Sequence, residues 1–550
     1  MNKTLLALAT TALLAAGSAN AADIVLLNLD SPGVGLNSTV PATPVGGNPG
    51  TTKGAQATFV YEFAMKMWGS VLESKVPIKV YASFAPLTCT STSGVLGSAG
   101  TNWLIRLTDG VRVRYYGSAL ADSIVGYDIV PDPNDPGDIA SRFNGNLGNP
   151  GCLDGSGWYF GIDGNTPAGK INFLNVVMHE IGHGLGAQGF INKSTGALYN
   201  GYSDAYTKYA YDNELNKSFE DASMTDALRA KAMRTPGRTV WVGPKVNAVA
   251  NVILNNNFHE SVLRVTAPTA LVGNYGFYGA AFGPAAAAAN FNGQWVVALD
   301  AADAAGPLTT DGCSAITNAA AVAGKIAIID RGTCGFAVKV KNAQNAGAIG
   351  VVIANSSTGT WGSMGGADPT ITIPSVIVQY ADGVTFKANT PVTGGMVDLP
   401  ATKAGMDSAG HTRLYSPWVV ATGSTFSHFD TTLTPDALME PFDSPTVQAQ
   451  YNVDLTPALF ADIGWKLHQG GATFANCDTG TAAADAYGIV IGSNMAATSE
   501  ACKSTNVLRN EYVSCMYKYR DGLLADGLIT QQQALKLNTC IKRQSDQYRR

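Results

Sequence analysis

Charge is scarce in this 550-residue chain: Asp, Glu, Lys and Arg make up 14% of it and the net charge is −5. No Lys/Arg cluster offsets that balance, so nucleic acid is not the expected partner. Long apolar runs are missing too. Beyond the first twenty or so residues none approaches the length that crosses a bilayer, so no membrane span is expected. Neither is there a glycine-rich phosphate loop after a strand, which disfavours a nucleotide site. Histidine is rare, at six residues. That scarcity makes the setting of each one informative.

What is present begins with an export signal. Met1–Ala21 carries Lys3, an apolar run over Leu5–Ala16 and a small-residue end at Ala19-Asn20-Ala21. The pattern predicts a secretory signal peptide over 1–21, with cleavage after Ala21 and a secreted or periplasmic mature chain. The length calls for several domains. Eight cysteines, an even number in an exported chain, suggest four disulfides. Their grouping makes Cys89–Cys152 and Cys313–Cys334 the simplest pairs, with two more bridges among Cys477, Cys502, Cys515 and Cys540. In the tail, 471–550, Leu508, Tyr512, Cys515, Tyr519 and Leu523 recur at helical spacing up to Asp526-Gly527. Thr530 and Gln533 form a capping-box signature ahead of a second stripe, Ala534, Leu537 and Ile541. The expectation is an antiparallel helical hairpin bridged by Cys515–Cys540, which leaves Cys477 for Cys502.

Nearer the N-terminus, Asp23–Asn28 and Val76–Phe84 read as strands and Gln56–Leu72 as a helix. Strands 103–107 and 111–116 flank an Asp109-Gly110 turn. Tyr202–Arg234 is polar and helical in character. Asp132, Asp135, Asp138, Asp154 and Asp163 lie in Gly/Pro/Asn-rich loops. They match no calcium-loop motif, so Ca²⁺ is possible but unsupported and turn roles are expected.

The chemistry concentrates in Val176-Val-Met-His-Glu-Ile-Gly-His-Gly-Leu-Gly186. With Ile171, Phe173, Leu174 and Val177 before it, the stretch predicts a buried helix that ends in glycines. His179 and His183 are four apart, hence on one face, and both can reach one zinc ion. Glu180 beside them is placed to take a proton from a zinc-activated water rather than to ligate. A catalytic zinc needs a third protein ligand. Glu214 and Glu220 stand at plausible distances along the chain, but without the Glu-x-x-x-Asp pattern of a glutamate-ligand class.

Two resemblances organise the remainder. Gly324–Cys334, Lys339–Gly347 and Met364–Val378, with a strand–helix–strand unit among them, resemble the protease-associated (PA) domain, over about 265–399. The resemblance implies a non-catalytic module that gates access or contacts substrate. The His179–Gly186 stretch resembles the metzincin clan of zinc proteases, in which the third histidine follows three residues past the helix-ending glycine. Here that position is Gly189. Leishmanolysin-like metzincins delay this ligand by an insertion and place a methionine turn after it. His428 followed by Leu438-Met439-Glu440-Pro441 is similar to that arrangement.

The resemblance therefore implies an α+β metzincin-like catalytic domain split into 22–264 and 400–470 by an α/β PA-like domain at 265–399, with the disulfide-linked helical tail at 471–550. It implies one Zn²⁺ on His179, His183 and His428, Met439 as an apolar floor, Glu180 as general base, and protein or peptide substrates cut internally. The competing expectation is an exported binding protein with a vestigial metal site. A PA-bearing serine protease or aminopeptidase ranks last, because the chain has no Gly-Thr-Ser-Met segment and no paired-carboxylate dinuclear pattern.

Overall fold

The computed structural model describes residues 21–131, 137–358, 361–506 and 508–548. The expected signal peptide up to Asn20, and Asp132 and Asp135, lie outside the described residues. The core of the first part of the chain is built on a four-stranded sheet in the order Ile24–Asn28, Ile78–Ala85, Ile139–Asn144, Gly97–Thr101. The first three strands run parallel and the last is an antiparallel edge. Helix Lys53–Val71, capped by the Thr52 side chain on the Ala55 N–H, buries a face of Val60, Phe63, Met67 and Trp68. Its Trp68 Nε1–H donates to the Met178 carbonyl at 3.0 Å. That bond joins it to helix Phe173–Gly184, which carries the histidine motif.

The Asp109-Gly110 turn forms as expected, between Leu104–Thr108 and Val113–Gly117, with Asp109 Oδ1 accepting the Val111 and Arg112 N–H groups. Asp154 and Asp163 serve as local acceptors, for the Gly151 and Cys152 N–H groups and for the Tyr159 hydroxyl, whereas Asp138 is buried and accepts the Lys79 N–H of strand Ile78–Ala85. Tyr202–Arg234 departs from its helical reading. It contains short strands Ala210–Asp212 and Lys217–Ser218 and only one α-helix, Asp226–Ala232. Its charged residues are spent on tertiary ion pairs rather than on an exposed helical face: Asp212 with Arg238 and Glu220 with Arg114.

The middle of the chain folds as a separate seven-stranded sheet from Ser261 to Asp398. The expected strand–helix–strand is Ile326–Asp330, Phe336–Asn345 and Gly350–Ala354, with the strands parallel. The change in composition at Val265 falls inside a strand rather than at the boundary. Strand Ser261–Ala267 starts four residues earlier and pairs antiparallel with Val392–Asp398, Ser261 opposite Asp398. Entry and exit therefore lie side by side, the geometry that lets a module sit inside another domain. After it, Thr412–Arg413 pairs with Thr239–Trp241 and returns the chain to the first domain. Helix Thr456–Ile463 completes that domain, with the Asp462 carboxylate accepting from Trp241 Nε1 and the Lys245 and Val246 N–H groups.

The tail holds helices Arg509–Ala525 and Gln531–Ser545, the latter opened by the Thr530/Gln533 capping box. It also holds a strand pair, Gly471–Phe474 with Cys477–Ala482, and a third helix, Ile491–Thr505. Cys89–Cys152 and Cys313–Cys334 are bonded. The tail bridges are Cys477–Cys540 and Cys502–Cys515, not Cys515–Cys540 and Cys477–Cys502. Equal distance from a turn does not set direction around a helix, where each residue turns by about 100°. Cys540 faces the strand pair, and Cys515 faces the end of the 491–505 helix.

Candidate metal centre

Helix Phe173–Gly184 starts where the Asn172 side chain accepts the Asn175 N–H, and Gly186, at φ +121° just past its Leu185 cap, turns the chain away. His179 and His183 lie on one face of it. Their Nε2 atoms are 3.0 Å apart, and His428 Nε2 lies 3.1 Å from His183 and 3.2 Å from His179. Among the described residues this is the one cluster of three or more His, Cys, Asp or Glu groups that could hold a metal ion.

Each ring is oriented from behind. Nδ1 faces the Leu438 carbonyl at 2.6 Å for His179, the Ala187 carbonyl at 2.8 Å for His183 and the Ser424 carbonyl at 2.7 Å for His428. A carbonyl accepts only, so each Nδ1 carries the proton and each Nε2 turns a lone pair toward the other two. Three converging lone pairs repel one another unless a cation lies between them. Burial and the neighbouring imidazoles hold His183 down to about 3 and His428 well below the usual histidine range, while burial lowers His179. The neutral, ligating form is thus the resident one.

The donor set fits zinc. Tetrahedral Zn–N bonds of about 2.0–2.1 Å imply N–N separations of about 3.3 Å, close to the observed triangle. Glu180, on the same helix, is buried beside the edge strand Gly97–Thr101. Burial pushes its carboxyl up to about 8, opposed by a hydrogen bond from the Ala99 backbone. The strand can come so near only because residue 97 is glycine: a Cβ there would stand 2.8 Å from Glu180 Oε1.

Met439 is buried below the helix, and a Cβ at Gly182 would meet its sulfur at 2.9 Å. The turn bearing Met439 is held by buried acids that sequence reasoning missed. Asp454 Oδ2 accepts the Leu438 N–H at 2.7 Å, on the residue whose carbonyl orients His179, and Glu440 Oε1 accepts the Ala437 N–H at 2.9 Å. Val-Asp-Leu and Met-Glu-Pro offer no periodic signal that would mark these acids as buried.

Gly189 explains why no ligand stands there. A Cβ on it would lie 2.2 Å from the Phe426 ring, which fills the space, and the Gly189 N–H donates to Ser427 Oγ beside His428. Phe426 adopts φ +74°, an uncommon conformation for a bulky residue. It is clamped by ring contacts with Phe219 and Tyr206 and by the Tyr206 hydroxyl on its carbonyl. Glu214 and Glu220 are not brought to the cluster. Glu214 pairs with Arg238 near the surface and Glu220 with Arg114.

Comparisons with known proteins each cover a minor share of the chain. A human ER degradation-enhancing alpha-mannosidase-like protein 3 is 53% identical over 51 residues, 9% of this chain and 6% of that protein. An aminopeptidase of Pseudomonas aeruginosa (strain UCBPP-PA14) is 39% identical over 97 residues, 16% of this chain and 18% of the relative. The chain therefore spans a small fraction of either relative. A zinc aminopeptidase from Bacillus subtilis and an aminopeptidase from Aneurinibacillus sp. strain AM-1, both of known structure, superpose with a TM-score of 0.18 at 18% and 19% identity. They cover 28% and 32% of this chain and 36% and 39% of their own. The PA domain family profile matches residues 293–386. That range lies within the inserted sheet, and the chain contains a PA domain.

Proposed function

We propose that this protein is an exported zinc-dependent endopeptidase of the leishmanolysin-like metzincin kind, in which His179, His183 and His428 hold the metal and Glu180 is the general base. The observation that carries the reading is the triangle of Nε2 atoms, 3.0–3.2 Å apart, with every Nδ1 turned to a carbonyl. Zinc bound there supplies Lewis-acid polarisation of water and of the scissile carbonyl. Glu180 accepts the proton of the attacking water and delivers it to the departing amine. Burial suits both tasks, since it keeps the carboxyl basic enough to take a proton and able to return it. A purely structural metal needs no such group, which favours catalysis over a vestigial binding site.

The edge strand Gly97–Thr101 supports internal cleavage. It pairs on one side with Ile139–Asn144, and among the described residues no strand pairs its other side. An extended substrate can add there by backbone hydrogen bonds and run past Glu180 in both directions. Four disulfides suit an oxidising compartment, and among the described residues no helix is long and apolar enough to cross a membrane. The matched Pseudomonas relative bears the name aminopeptidase, so the test separates the two modes. The purified protein is assayed on an internally quenched peptide whose N-terminus is blocked, and on the same peptide unblocked. Chelator-sensitive cleavage of both supports an endopeptidase; cleavage of the unblocked peptide alone would make it an aminopeptidase.

A further inference from the structure

His428 stands at the foot of a loop whose far end belongs to the PA domain. The two arms are tied by the Tyr415 N–H on the His428 carbonyl and the Phe426 N–H on the Tyr415 carbonyl, at 2.9 and 2.8 Å. Between them the loop leaves the catalytic domain. Trp418 and Val419 pack against the apolar core of the PA domain, among Phe282, Trp361 and Met364. The ring centroid of Trp418 is 6.3 Å from that of Trp361, which in turn stacks edge-on with Tyr278 at 4.9 Å. On the PA side Gly276 makes room: a Cβ there would stand 2.5 Å from the Trp418 ring. Directly after this anchor the chain makes a tight turn. Ser424 and Thr425 N–H groups donate to the Ala421 carbonyl at 3.0 Å, and the Ala421 N–H donates to Thr425 Oγ1 at 2.9 Å. That turn presents the Ser424 carbonyl to His428 Nδ1 at 2.7 Å.

We infer that Trp418 is a positioning residue: packed against the PA core, it fixes the turn that orients His428, so the PA domain sets how tightly the site binds metal. This rests on the reading of His428 as a metal ligand. The physical basis is that outer hydrogen bonds to a ligating imidazole hold its ring direction and tune the metal, commonly by about 10–100-fold in affinity. Here the outer partner is a loop carbonyl, and the loop has no regular structure to hold it without the tryptophan. A state of the PA domain that loosened Trp418 would act on metal affinity across the domain boundary, so coupling between the two runs both ways.

The test measures zinc affinity by chelator competition on the full chain, together with the visible spectrum of the Co²⁺-substituted protein. Wild type, Trp418→Ala, Trp418→Phe, Gly276→Ala and His428→Ala are compared. Trp418→Ala and Gly276→Ala are expected to weaken zinc about tenfold and to alter the Co²⁺ spectrum, while Trp418→Phe recovers most of the affinity. Gly276→Ala perturbs the same contact from the PA side and keeps every catalytic-domain residue. Wild-type affinity and an unchanged spectrum in both Trp418→Ala and Gly276→Ala would overturn the inference, provided His428→Ala weakens the metal. If His428→Ala itself leaves zinc unaffected, the ligand assignment fails and the inference falls with it.

Discussion

His179 and His183 stand on a helix whose own hydrogen bonds fix their spacing, whereas His428 stands at the end of a loop held by side chains from other segments. The helix needs little beyond its periodicity: one N-cap, a buried face and room at its glycines for Met439 and Ile139. The loop needs Tyr206 and Phe219 around Phe426, Ser427 against Gly189, and Trp418 against the PA core. Two of the proposed ligands are thus local in origin and the third is tertiary. Such a division makes a site easy to recognise by its first half and easy to modulate through its second.

The largest expected effect breaks the tertiary half. His428→Ala should lower zinc affinity by more than about 100-fold, beyond the loss of an outer-shell bond and comparable to His183→Ala. Glu214→Ala and Glu220→Ala, whose carboxylates are held by Arg238 and Arg114, should leave zinc content unchanged. Metal analysis after dialysis against a weak chelator checks all four, and loss of zinc from a glutamate variant alone would return the third ligand to that segment.

A pH experiment sharpens the local half. Glu180 has its folded pKa raised from 4.5 to about 8, so the metal-free folded state favours its protonated form. Its contribution is present below the unfolded value and is lost as pH rises from about 4.5 toward 8. Glu180→Gln removes that dependence. Metal-free Glu180→Gln should gain stability over metal-free wild type on going from pH 5 to pH 8, by on the order of 2–4 kcal/mol. Denaturant midpoints at the two pH values give the difference, and equal differences at both would contradict the burial account.

Gly184→Ala probes the packing under the helix. Its Cβ would meet Ile139 Cγ2 at 2.3 Å, inside the parallel sheet, so stability should fall by about 1–3 kcal/mol. Gly182→Ala, which meets the flexible Met439 sulfur at 2.9 Å, should cost less. Thermal unfolding of the two variants ranks them. The smallest contrast lies in the tail. Cys477–Cys540 spans a sequence separation of 63 and Cys502–Cys515 one of 13. Loop-closure entropy gives about 4 and about 3 kcal/mol respectively. Replacing each pair by Ala should therefore destabilise the protein slightly more for 477/540, and non-reducing peptide mapping tests the pairing itself.

What was legible followed from repeating patterns. The four-residue spacing of His179 and His183, the strand–helix–strand at 326–354 and the Asp109-Gly110 turn each announce themselves within a few residues. The edge strand Gly97–Thr101 does not. Gly-Ser-Ala-Gly-Thr has little strand propensity and forms because Ile139–Asn144 offers a ladder and Glu180 needs a close neighbour. Helix Ile491–Thr505 was also hidden. It is buried along most of its length, and Ser493, Asn494, Thr498 and Ser499 lie inside, so it has no polar face to give a period. Missing that helix misplaced the tail bridges, since Cys502 sits at its end. His428 has no local pattern that singles it out and stands out only through the family resemblance, because tertiary packing is what brings it beside His179 and His183.

The central claim is that the histidine triangle with Glu180 is a hydrolytic zinc centre. Zinc content and cleavage of an N-terminally blocked, internally quenched peptide, measured side by side for wild type and Glu180→Gln, test it most directly. The account predicts about one zinc per chain in both, with hydrolysis lower by at least about 100–10,000-fold in the variant, the span of general acid–base catalysis. Wild-type hydrolysis by Glu180→Gln, or a purified wild type that neither binds zinc nor cleaves the peptide, would contradict it.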